Sequence, residues 1–182
     1  LDEHVGDRSL CVGDLGKLPY LEMVVKESMR ILPAVWSFMK EPIEDVELGD
    51  YLIPKGSMIF ISPYVTQHNP LYFPEPDEFR PERFTKENEK ALPKGAYVPF
   101  SGGQRICLGK MFALMESKLI LGTMVNNVDF ILPEGHTIEF LAQLSLHPKG
   151  GLPLQIAKRK RVQERQTPPH PDPDPKSIAA SA

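Results

Sequence analysis

Residues 100–109, Phe-Ser-Gly-Gly-Gln-Arg-Ile-Cys-Leu-Gly, are the stretch whose types and spacing could do chemistry. Cys107 stands two residues after Arg105 and two before Gly109, with Gly102 and Gly103 upstream. Paired glycines reach backbone angles closed to other residues and let the chain run close to a flat ligand. Beyond Gly109 the sequence turns helical, with Phe112, Met115 and Leu119 on one apolar stripe. Cys107 therefore sits where a loop feeds a helix, whose free N–H groups and dipole favour a thiolate. Residues two apart in an extended segment point the same way, which brings Arg105 out beside the sulfur. A thiolate next to a guanidinium suits a large anionic cofactor whose metal takes one sulfur ligand. Two plainer readings stand beside this one. A lone cysteine can be a small buried hydrophobe. A zinc site wants four ligands at set spacings, and the only other cysteine, Cys11, is remote.

Two further constellations involve charge. Glu27 and Arg30 are three apart on a helix and meet at its surface. Alone, such a pair is solvated and worth about half a kcal/mol at most. Pro81-Glu-Arg-Phe84 sets Arg83 next to Phe84 and near Phe79; a guanidinium buried there needs an acid, and otherwise it is a loop arginine in solvent.

Phe100, Gly103, Arg105, Cys107 and Gly109, with Ala113 and Glu116 downstream, fill the pattern Phe-x-x-Gly-x-Arg-x-Cys-x-Gly. The stretch resembles the haem-thiolate signature of the cytochrome P-450 family. Glu27-x-x-Arg30 resembles that family's E-x-x-R element, and Pro81–Phe84 its P-E-R-F box. The three occur in family order. The resemblance covers about residues 1–160 and only the C-terminal part of a family member. It implies an α+β fold, mainly helical with small antiparallel β units. It implies haem b (iron protoporphyrin IX) with Cys107 as catalytic axial thiolate and iron ligand, and Arg105 on a propionate. Phe100 would pack near the sulfur, and Lys40 is a candidate for the second propionate. Glu27, Arg30 and Arg83 would form a buried structural triad. The implied reaction inserts one oxygen atom from O2 into a small, hydrophobic organic substrate, with electrons from a ferredoxin or a flavin reductase. Lys94 and Lys110 would offer that donor a basic patch. The oxygen-activating helix of the family is expected upstream. A haem-binding module without oxygenase activity, or a non-functional fragment, is therefore the alternative.

The chain has 182 residues, 41% of them hydrophobic, and a net charge of -3. That is room for one ordinary domain and no argument for nucleic acid. No apolar run approaches a membrane span. Two distant cysteines give no disulfide framework. With no signal peptide visible, the expected location is cytoplasmic, or membrane-associated through an N-terminal anchor that the chain does not show.

From the N-terminus onward, Asp14 is the expected N-cap of a short turn before Pro19. Pro19 opens a helix whose apolar face is Leu21, Val24, Val25, Met29 and Leu32, with Ser28 among them, and Pro33 ends it. Trp36 and Phe38 read as core, although in the family this region faces substrate and haem. Residues 46–62 predict a small antiparallel unit, with 58–61 a buried strand. Gln67-His68-Asn69-Pro70 departs from the family's His-Arg-Asp-Pro run, with His68 at the surface. Residues 86–94 read as a charged loop, 128–157 as hairpins, and 158–161 as a solvated basic strand end. Leu144–His147 falls where the family's last substrate-facing turn would lie. Residues 161–182, rich in alternating prolines, predict a disordered tail.

Overall fold

A computed structural model describes residues 1–159. The expected disordered tail, 161–182, lies outside the described residues. Among the described residues four α-helices form: α1 (Pro19–Ile31), α2 (Pro63–Gln67), α3 (Lys86–Ala91) and α4 (Lys110–Asn127). Short 3-10 turns cover Val12–Lys17, Pro81–Phe84 and Gly103–Arg105.

Prolines bracket α1. Pro19 occupies a first-turn position, where its missing N–H is no loss. Pro33 disfavours helical angles in the residue before it, and Leu32 leaves the helix at φ −126°. Leu21 and Val25 turn inward, as the periodicity predicts; Ser28 and Leu32 are exposed instead. Burial follows the neighbours rather than one stripe, because α1 packs against the Pro81–Phe84 turn, α2 and α4 together.

The strands of the described residues pair as four separate antiparallel ladders. β1 (Phe38–Lys40) pairs with β4 (Ile59–Ile61), and β2 (Val46–Leu48) with β3 (Tyr51–Ile53). β5 (Val128–Ile131) pairs with β8 (Gln155–Lys158), and β6 (Phe140–Ala142) with β7 (Leu146–Pro148). The strand expected to be buried is not: Met58 and Phe60 are exposed. A run of apolar residues shows strand character but not whether anything covers its outer face.

Two apolar clusters form. Val5, Leu10, Leu15, Leu18 and Leu21 make the first, with Met115 and Leu119 of α4 against it. At its centre α4 comes so close that a Cβ on Gly122 would sit 2.6 Å from Leu10. Phe73, Phe84 and Ala96 make the second, with Met23 and Tyr97 against it. Phe112, expected on the buried stripe of α4, is exposed.

Three local expectations are corrected. Residues 86–91 are helical, because the Thr85 hydroxyl caps α3 by accepting from Asn88 N–H at 3.2 Å. Asp14 is not the N-cap of its turn. Cys11 holds that place, and the Asp14 carboxylate accepts from the Cys11 N–H (3.0 Å), from its thiol (3.1 Å) and from a forked Arg8 (2.6 and 2.7 Å). The hydrogen bonds from Arg8 hold that carboxyl well below the usual carboxylate range. Arg159, in the basic run expected to be solvated, instead pairs with Asp2 at 2.9 Å and donates to Val125 O.

Candidate functional site

The cysteine loop is closed on itself before α4 begins. Cys107 N–H donates to Phe100 O at 3.0 Å, and Lys110 N–H donates back to Cys107 O at 3.3 Å. The left-handed angles fall on Gly103 (φ +73°) and, unexpectedly, on Ser101 (φ +63°). Gly102 is extended and needs no glycine for its φ of −159°. Gly109, at φ −79°, likewise keeps ordinary angles, and a Cβ there would stand 3.9 Å from Cys107 Sγ.

Cys107 is exposed, which removes the reading of a small buried hydrophobe. It opens onto a cavity of about 320 Å³ that Arg105, Phe100, Phe38 and Val35 also line. Arg105 comes to that cavity by a different route from the one expected. The segment is not extended: Gly103–Arg105 is a 3-10 turn, and its C-terminal end sets Arg105 on the same opening as the sulfur. No hydrogen bond or ion pair engages Arg105 among the described residues. Lys40 reaches the loop from β1, where its Nζ donates to Gly102 O at 3.3 Å. Phe38 walls this cavity rather than filling a core, and Trp36 is only partly buried. Trp36 Nε1 donates to Gln143 O at 2.7 Å and Leu146 N–H to Ala34 O at 2.8 Å. The turn at 144–147 and the stretch after Pro33 are thus brought side by side. Lys110 lines a neighbouring cavity that also holds Glu22, Lys26 and Glu89, so its surroundings are mixed in charge rather than purely basic.

Behind the loop lies the charged cluster. Glu27 and Arg30 have side chains at 0% exposure and join through two bonds, Nε to Oε2 at 2.8 Å and Nη2 to Oε1 at 2.9 Å. Glu27 also accepts from Arg80 N–H at 2.9 Å. Arg83 Nε comes within 3.3 Å of Glu27 Oε1, at ion-pair distance but off the line of a hydrogen bond. Burial lowers the Arg83 pKa, against the attraction of Glu27. Arg83 is held further by Glu75 O at 2.7 Å. Arg30 also donates to Gln67 O (2.9 Å) and Glu78 O (3.2 Å), with its guanidinium over the face of Phe73. The solvated pair and the solvent-facing loop arginine are both replaced by one buried cluster.

Gln67 is the participant that sequence reasoning missed. It is fully buried at the end of α2. Its amide donates to Met29 O and Arg30 O, both at 3.0 Å, and accepts from Val98 N–H at 3.1 Å. The signal was its position, the first residue of the run that departs from the family pattern. His68 next to it is at the surface, stacked on Tyr64.

The sequence model of the family described as Cytochrome P450 matches residues 1–154. The chain belongs to the cytochrome P450 family. Among curated P450 relatives, Cytochrome P450 4V2 of Homo sapiens is 42% identical over 170 residues, covering 91% of this chain and 32% of its own length. The Mus musculus protein of the same name is 41% identical over 164 residues, covering 87% and 31%. Among solved structures, the cytochrome P450DA heme domain has a TM-score of 0.82 at 27% identity and covers 93% of this chain and 38% of that one. The retinoic acid-bound cyanobacterial CYP120A1 has a TM-score of 0.77 at 34% identity, covering 83% and 35%. The helices and small antiparallel sheets are therefore those of part of a P450 fold, and the chain spans about a third of the length of the relatives it matches.

Proposed function

We propose that this chain is the haem-binding part of a P450 monooxygenase. The observation that carries the reading is one exposed thiol and one unpaired guanidinium opening onto the same largely apolar cavity, on a loop held by backbone hydrogen bonds. That donor set fits haem b: Cys107 supplies the single sulfur ligand and Arg105 a charge partner for a propionate. Lys40 is the second cation at the loop and would exchange the Gly102 carbonyl for the other propionate. Phe100 and Phe38 give the sulfur apolar walls, and such walls limit water and tune a metal's potential. Glu27, Arg30 and Arg83 hold the layer behind the loop. Gly103 supplies its left-handed turn, and Gly109 caps the helix that follows. Bound haem iron with a thiolate ligand supplies O2 activation, the thiolate favouring O–O cleavage. The substrate is a small hydrophobic organic molecule, the co-substrate is O2, and electrons come from a ferredoxin or flavin reductase. The described residues contain no helix long and apolar enough to cross a membrane.

The test is the absorbance of the reduced, carbon monoxide-bound full-length protein. A strongly red-shifted Soret band is expected, and Cys107→Ala is expected to abolish it. Survival of that band in the variant would overturn Cys107 as ligand.

A further inference from the structure

The last carbonyls of a helix have no partner within it, and buried ones must find donors elsewhere. In α1 two of these, Met29 O and Arg30 O, both accept from Nε2 of one side-chain amide, that of Gln67. The oxygen of the same amide takes the N–H of Val98, two residues before the loop that carries Cys107. The Gln67 backbone carbonyl meanwhile receives Arg30 Nη1. One fully buried residue therefore touches the end of α1, the arginine cluster and the root of the cysteine loop, with every polar atom of its amide engaged. Among the described residues no charged side chain makes that link: the hydrogen bonds and ion pairs of Glu27, Arg30 and Arg83 end on one another, on Arg80 N–H and on the carbonyls of 67, 75 and 78.

We propose that Gln67 is a positioning residue for Cys107: its amide fixes the stem of the cysteine loop to the end of α1 and so keeps the thiolate aimed into its cavity. This rests on the reading of Cys107 as the haem ligand. The position requires a neutral group that donates to a helix-end carbonyl and accepts from Val98 N–H. A neutral imidazole also offers one donor and one acceptor. Histidine, which the family's run has at this place, meets the same demand, and a side chain of equal length without polar atoms does not.

The experiment compares wild type, Gln67→Met, Gln67→His and Cys107→Ala in the full-length haem-loaded protein. The readout is the ratio of thiolate-type to thiol-type Soret bands of the reduced carbon monoxide complex. Gln67→Met keeps the volume and removes all three amide bonds. A drop in that ratio of about tenfold is expected, the scale of one buried polar group left unsatisfied. Gln67→His is expected to restore most of it. A second readout needs no haem: amide exchange at Val98 should speed up in Gln67→Met, and exchange within α4 should not change. If Gln67→Met lowers thermal stability while the band ratio and Val98 exchange stay at wild-type values, Gln67 is only a packing residue and the proposal is wrong. Should Gln67→Met fail to fold, Gln67→Asn, one methylene shorter, replaces it: a lowered ratio with faster Val98 exchange supports the proposal, and wild-type values of both overturn it. Loss of the thiolate band in Cys107→Ala secures the underlying reading separately; its persistence overturns that reading and this proposal with it.

Discussion

A carboxylate with no water around it must be met by donors on every side, and Glu27 is. It faces two nitrogens of Arg30, the N–H of Arg80 and the guanidinium of Arg83. Removing the acid strands a buried guanidinium, which costs about 3–5 kcal/mol. Glu27→Ala should therefore lose most of the stability of the fold in a denaturant titration. Arg83→Lys, on the cluster's rim, keeps the charge and should lose far less; equal losses would mean that Arg83 is as central as Arg30. Glu27, Arg30 and Arg83 are legible as one cluster only through the family resemblance, since charge at that spacing alone reads as a solvated pair and a loop arginine. Cys107 and Arg105 are legible from their spacing on a glycine-rich stretch that feeds a helix, although the turn at Gly103–Arg105 that joins them is not. Gln67 shows in the sequence only as a departure from the family's run, with nothing to say what it touches. It carries no charge, and its partners at 29, 30 and 98 become neighbours only after the chain has folded.

Prolines mark α1 and length marks α4, but α3 is polar all round and exists through its Thr85 cap. Sequence periodicity carries no sign of such a helix. The pairing of β1 with β4 escapes for another reason: Phe38 reads from sequence as core or ligand contact, and nothing local points to Ile61 across a ladder. The Val12–Lys17 turn carries a dependence on pH. Arg8 depresses the Asp14 carboxyl in the folded chain, whereas the unfolded chain has an ordinary value of about 4. A depressed carboxyl contributes stability above the unfolded value, and that contribution is lost as pH falls through it toward the folded one. Asp14→Asn should lower Tm at neutral pH and converge with wild type in acid. Two parallel Tm-against-pH curves would show that the Arg8 contact contributes nothing.

Much of the molecule's apolar surface faces outward. Met39, Met58 and Phe60 lie on or beside the β1–β4 ladder, and Leu108, Met111 and Phe112 at the start of α4. Large apolar side chains exposed in that number leave places where further protein can pack. This agrees with a chain that spans about a third of its relatives' length. Apart from Val25 of α1 itself, the buried apolar residues among the described residues fall into two groups rather than one. Leu21 belongs to the cluster under α4, and Met23, two positions on, packs against the cluster of Phe73 and Phe84. α1 is thus a wall shared by two small interiors that otherwise hold separate residues. Melting need not then be all-or-none. In calorimetry of this chain the van't Hoff enthalpy should fall short of the calorimetric one, because each interior can come apart with α1 still leaning on the other.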